Sequence, residues 1–236
     1  MTTTERVLAT GLAIGLLTAV PSGCGADPEP QAQPSRDQPT DVTEGGEPAD
    51  PASGAVRPTA SVGIEVAADD DRLLVDYSVT NDGKDDLLVV NRLPQPAGAG
   101  TSYVDDIAYA SGKDDGRVQV AQRVFPWPDS DRIDFGQAPH MGATGLPPGE
   151  SLDVHLEVAM PLERRQPFGD DLGYGSITLP DPVTDIVFCL GVIAPPYPRG
   201  VSPTLDPGDP SLMLLAHGDA AHEAQYLFCS DPVEAG

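Results

Sequence analysis

Lysine is nearly missing from this chain: only Lys84 and Lys113 occur in 236 residues. Together with arginine the cations number 13, against 37 aspartates and glutamates, for a formal charge of −24. A surface of that sign repels phosphates, so a protein that binds nucleic-acid backbone is excluded. Aromatic residues are also sparse, at 5%, and Trp127 is the single tryptophan. No apolar run reaches the roughly 20 residues that a spanning helix needs. Catalytic signatures are missing as well: there is no nucleophile elbow, zinc-protease helix, phosphate loop, dinucleotide fingerprint or paired-cysteine metal motif. No enzyme activity and no cofactor is therefore expected. Helical periodicity is almost nowhere to be found.

What is present begins with Val7–Val20, about 14 apolar or small residues behind a short polar lead that carries Arg6. That length suits the core of a signal peptide. Pro21-Ser22-Gly23-Cys24 follows, with small residues directly before a cysteine. This stretch resembles the lipobox of bacterial lipoproteins, although Pro21 stands where that family usually has an aliphatic residue. The resemblance implies a signal peptide over residues 1–23, a diacylglyceryl group on the sulfur of Cys24, and a membrane as partner through that anchor. Two or more acyl chains make such anchoring stable without other membrane contact. Plain secretion is the competing reading; it lacks an A-x-A cut site upstream, and the nearest small triplet, Cys24-Gly25-Ala26, contains the cysteine itself.

Residues 24–58 are dense in Pro, Asp, Glu, Gln and Gly and carry no aromatic residue. Such a segment cannot bury enough surface to offset its ordering entropy, so it is expected to be a disordered spacer. Polyproline extension would let it reach roughly 100 Å. A proline-rich ligand is the sharper alternative, but no repeated PxxP core with basic flanks is present.

The remaining residues, 59–236, are long enough for one domain with a proper core. Apolar residues alternate in period two: Val62, Ile64 and Val66; Leu73, Val75, Tyr77 and Val79; Val118, Val120 and Val124; Leu152, Val154, Leu156, Val158 and Met160. This is the pattern of half-buried strands. Asn81-Asp82-Gly83-Lys84, Asp114-Asp115-Gly116 and Leu146-Pro147-Pro148-Gly149-Glu150 punctuate the runs as turns. The segment VTDIVFCLGVI is apolar on both faces and should be central in its sheet. SLMLLAH and EAQYLFC read as late strands. The fold class is all-β, an antiparallel sandwich of roughly eight to ten short strands. DRLLVDYSVTNDGKDDLLVV, DDGRVQVAQ and LPPGESLDVHLEV, taken in order, are similar to bacterial immunoglobulin-like modules and to the BsuPI-type domain. The resemblance supports an immunoglobulin-like sandwich and does not extend to an inhibitor function.

Setting Cys24 aside leaves Cys189 and Cys229 as an even pair. In an exported chain they should form a disulfide, which requires Cα atoms roughly 4.4–6.8 Å apart on neighbouring strands. Possible sites are few. His155 reads as an exposed histidine flanked by Asp153 and Glu157, and His140 as a loop residue. His217 and His222 flank a turn and could meet Glu223 on a metal, but two histidines five apart read first as surface residues. Asp129, Asp131 and Asp134, or Asp69–Asp71, could hold calcium, yet the EF-hand register is absent. Trp127, between two prolines, is either a contact residue or a plug over the end of the core. The proline-rich stretch from Pro195 to Pro210 is either a binding loop or a rigid connector. The expected protein is a non-enzymatic, envelope-anchored binding or accessory module whose partner is a protein or other envelope ligand. A metal-binding envelope protein is the alternative.

Overall fold

The computed structural model describes residues 55–235, apart from 70, 99, 113, 114, 131, 173 and 174. The expected signal peptide, the lipidation site Cys24 and nearly all of the expected spacer lie outside the described residues. Among the described residues thirteen strands and one short helix are formed. In chain order the strands are β1 (Ala60–Ala68), β2 (Arg72–Asn81), β3 (Leu87–Ala97), β4 (Gly100–Val104), β5 (Tyr109–Gly112), β6 (Arg117–Gln122) and β7 (His140–Leu146). There follow β8 (Ser151–Ala159), β9 (Asp185–Ile193), β10 (Thr204–Asp206), β11 (Asp209–Ala216), the helix α1 (Asp219–Ala224), β12 (Tyr226–Cys229) and β13 (Val233–Glu234).

Strands β1, β2 and β8 form a three-stranded antiparallel sheet, with Ile64 opposite Tyr77 and Tyr77 opposite Val154. The β1–β2 turn is held by Asp69, whose Oδ1 accepts the backbone N–H groups of Asp71 and Arg72. Period-two alternation sends Leu73, Val75, Tyr77 and Val79 inward, all at most 3% exposed, while Asp76 and Ser78 face out. The other strands form a second, ten-stranded sheet whose centre is β9. Ile186, Phe188, Leu190 and Val192 of β9 meet the inward row of β2 in one core, where the rings of Phe188 and Tyr77 stack at 5.7 Å. Each such buried side chain contributes about 1.5–3 kcal/mol relative to exposure.

The centrality expected of VTDIVFCLGVI is observed. On one edge β9 pairs with β12 and β13, and on the other with β6 and β3. The wholly antiparallel arrangement is corrected here, because β6 and β9 run parallel, from Arg117 opposite Asp185 to Gln122 opposite Leu190. A parallel pairing needs a long return path, and the chain makes it through β7 and β8. Thirteen strands replace the expected eight to ten. The excess lies in short pieces such as β4, β10 and β13, two to five residues long, whose turns carry little periodicity. EAQYLFC is corrected too: Glu223 and Ala224 belong to α1, Gln225 caps that helix, and only Tyr226–Cys229 is strand.

Alternate residues of β3 serve the two faces of the larger sheet. Leu87 and Val89 join the core shared with the small sheet, whereas Leu88 and Val90 join a second cluster behind it. That second cluster includes Tyr109, Val124, Phe125, Met141, Phe168, Leu215 and Ala221, so loop segments and α1 cover the far face. At the start of the body Pro58 is buried, and the Arg57 guanidinium lies over the rings of Tyr226 and Phe228.

The turn sequences that carried the resemblance meet in space. Asn81, fully buried, donates from Nδ2 to the carbonyls of Asp85 and Leu146, and its Oδ1 accepts the N–H of Gly83. Its own N–H reaches the Glu150 carbonyl, and its carbonyl accepts from Gly149. One asparagine thus joins the β2–β3 turn to the β7–β8 turn, where Gly149 sits at φ 79°.

Candidate functional site

The outer face of the three-stranded sheet is built from rows of residues set side by side by the register. Ser61, Thr80 and Ser151 form one row; Gly63, Ser78 and Asp153 the next; Glu65, Asp76 and His155 the third. Because Gly63 has no side chain, the middle row is open above β1. The result is a groove of about 370 Å³ bordered by Glu65, Asp76, Ser78, Asp153 and His155. A Cβ placed on Gly63 would come within 3.2 Å of Ser78 Oγ, so the row is tight as well as open. Three carboxylates around one depression favour a cationic group.

Within that row His155 Nδ1 lies 2.7 Å from Asp76 Oδ1, with both side chains more than half exposed. The flanking Asp153 and Glu157 expected as its companions are same-strand neighbours; the residue that touches it stands across the ladder. Glu157 instead lies 3.6 Å from the Arg72 guanidinium. A carboxylate–imidazole pair is the basic half of a catalytic triad, but among the described residues no hydroxyl or thiol hydrogen-bonds this histidine.

A second constellation lies on the far side of the larger sheet. His217, expected at the surface, is only 2% exposed. Its Nδ1 accepts the Phe125 N–H at 3.0 Å, so the proton sits on Nε2, which donates to the Tyr109 hydroxyl at 3.2 Å. Burial above all, with His140 and Arg123 nearby, pushes its pKa down to about 3. The rings of Tyr109, Phe125 and Phe168 surround it, with centroids 5.6 to 6.1 Å away. His222 is turned elsewhere: its Nδ1 accepts from Gln225 Nε2, and burial lowers its pKa too. The surface reading of His217 fails because the turn after β11 folds inward, where Gly218 donates to the Phe125 carbonyl.

Trp127 combines its two readings. It packs against Phe168 at 5.4 Å and Phe135 at 6.0 Å, yet stays 38% exposed. Its backbone N–H is held by Asp219 Oδ1.

Gln225 anchors the loop that carries these rings. Its side-chain amide pairs with Val124 as another strand would, accepting the N–H at 2.9 Å and donating to the carbonyl at 2.6 Å. Gly191 makes the space, since a Cβ there would fall 2.5 Å from Gln225 Oε1.

The remaining candidates are dispersed. His140 opens β7 opposite Ala216 rather than lying in a loop. Asp131 and Asp70 lie outside the described residues, and Asp69 spends its carboxylate on its own turn. The stretch from Pro195 to Pro210 ends in the β10–β11 hairpin, where Asp209 pairs with Arg92 at 2.7 Å. Hydrogen bonds from Ser211, and then from Arg92, lower the Asp209 pKa. Among the described residues no three His, Cys, Asp or Glu side chains converge to hold a metal, and no helix is long and apolar enough to cross a membrane.

Cys189 and Cys229 are joined in a disulfide, directly opposite each other on β9 and β12. Their Cα atoms are 4.1 Å apart, slightly closer than the expected range. Cys189 is buried and accepts a hydrogen bond from Gln119 Nε2 at 3.3 Å, while Cys229 is exposed.

Sequence reading missed the groove, because Gly63 gains meaning only from its lateral neighbours; its sole signal was a glycine inside an alternating strand. It also missed Gln225, for which no local pattern exists. No family model matches this sequence, and no curated protein or solved structure shows significant similarity to it.

Proposed function

We propose that this chain is a non-enzymatic lipoprotein of the cell envelope, in which an immunoglobulin-like β-sandwich is held off a membrane and serves as a binding or accessory module. The observation that carries the reading is the Cys189–Cys229 disulfide. Such bonds persist in oxidising compartments and are rare in the reducing cytosol. The bond therefore supports export independently of the leader, and the lipobox-like Cys24 supplies the anchor. The order of the strands and the meeting of the two turns at Asn81 favour the immunoglobulin-like description. An open acidic groove on an exposed sheet face suits recognition more than chemistry, since among the described residues no hydroxyl hydrogen-bonds the histidine at its border.

The test is Cys24→Ala in intact cells. The wild-type protein should fractionate with membranes and incorporate labelled fatty acid, and the variant should appear in the soluble fraction without label. Retention of the variant in the membrane fraction would refute lipid anchoring.

A further inference from the structure

We propose that the free edge of β1 is a docking site for a basic, extended peptide segment of a partner protein. The segment adds to the three-stranded sheet as a fourth strand and lays one lysine or arginine side chain in the acidic groove over Gly63. This deepens the binding-module reading and rests on it.

Among the described residues β1 pairs with β2 alone, along all nine of its residues and without a bulge. Its other edge therefore presents a regular row of backbone donors and acceptors. Proteins guard such edges with charged side chains, lysine above all, with proline or with bulges, and Ala60–Ala68 carries a single charge, the outward Glu65, and no lysine, proline or bulge. The second free edge of that sheet, β8, differs in two respects. It bears Asp153, His155 and Glu157, and the middle of its inward row is already covered, with Val154 and Leu156 at most 8% exposed and only Leu152 and Val158 partly buried. The inward residues of β1, Val62, Ile64 and Val66, are all only partly buried. An added strand would cover them, which makes β1 the edge where pairing gains apolar burial as well as hydrogen bonds.

Charge selects the occupant. Outward side chains of an added strand would flank Ser61, Gly63, Glu65 and Ala67. At Gly63 no side chain of β1 stands between an added strand and Asp76, Ser78 and Asp153, which line the 370 Å³ groove. A cation there is bordered by the carboxylates of Glu65, Asp76 and Asp153, and among the described residues Asp76 alone of the three is engaged by another side chain, the imidazole of His155. A second copy of this chain is disfavoured as occupant, because each copy carries a formal charge of −24 and like-charged surfaces repel.

The probe is a fluorescein-labelled peptide of about ten residues, alternating valine and lysine, long enough to pair with all of β1. The control is the same peptide with alternate amides N-methylated, which keeps the charge and side chains but removes ladder donors. Binding to the purified full-length protein in mild detergent is read by anisotropy, and its location by amide hydrogen exchange. The unmodified peptide should bind about tenfold or more tighter than the control, and protect Ser61–Ala67. Glu65→Gln with Asp153→Asn, both exposed, should weaken it about fivefold while leaving the fold intact by circular dichroism. Equal binding of the two peptides, an unchanged affinity in the double variant, protection on β8 instead, or no binding would each overturn the proposal. The assay does not depend on Cys24, so its failure is separable from failure of the lipid-anchor reading.

Discussion

Buried amides and one buried imidazole organise the connections that the strands leave open. Asn81 ties two turns together, Gln225 completes the backbone of Val124, and Gln122 donates to the carbonyls of Asp105 and Ile107 while accepting from Tyr77 Oη. Each satisfies backbone groups that would otherwise be buried without partners, at a cost of about 1–3 kcal/mol apiece. His217 does the same for the Phe125 N–H, and only its neutral form can. The folded chain refuses a proton until pH falls to about 3, whereas the unfolded chain accepts one near 6.5. The contribution of His217 is therefore complete above about pH 6.5 and is lost as pH falls toward 3, at roughly 1.4 kcal/mol per pH unit. His222, also lowered by burial, adds to the same trend. Urea midpoints measured between about pH 5 and 7, above the carboxylate range, should fall with acidification in the wild type. In His217→Gln the fall should be shallower; an identical slope would show that this imidazole does not drive it.

At the scale of elements, alternation was a faithful guide wherever a strand has one wet face. The inward rows of β1, β2 and β8 are those the sequence shows, and the two-faced β9 is central as its apolar run requires. Where a strand is buried on both faces the same signal is silent about direction, which is why the parallel β6–β9 pairing was not legible. Residues 219–224 form a helix across what reads as a turn and the start of a strand, because six residues are too few for either period to declare itself. The disulfide belongs to this scale, for it fastens β12 to the edge of β9. With the cysteines 40 positions apart, chain entropy assigns the bond about 4 kcal/mol. Reduction with a phosphine should lower the unfolding free energy by about that amount, measured by denaturant titration with and without reductant. A change below about 1 kcal/mol would mean that the strand pairing alone holds the edge.

Over the whole molecule, charge of one sign dominates. Ion pairs do exist, as in Arg92–Asp209 and Arg164–Asp170, but 13 cations cannot neutralise 37 anions. Self-repulsion of that kind opposes the compact state and is screened by salt over a Debye length of about 10 Å at 0.1 M. Raising sodium chloride from about 20 mM to 0.5 M should therefore raise the urea midpoint. A lowered midpoint would show that attractive pairs outweigh the surplus.

What the sequence determined by itself is local: the face of each strand, the turn positions, the even cysteine pair, and the sign of the surface. These follow from spacing along one segment, because a side chain's face in a strand depends on counting by two. What only the tertiary structure decided is lateral. It placed Gly63 beside Ser78 and Asp153, Asp76 beside His155, and His217 beneath Phe125 and Tyr109. Register between distant segments is set by the summed packing of all strands at once. No count along the chain contains it.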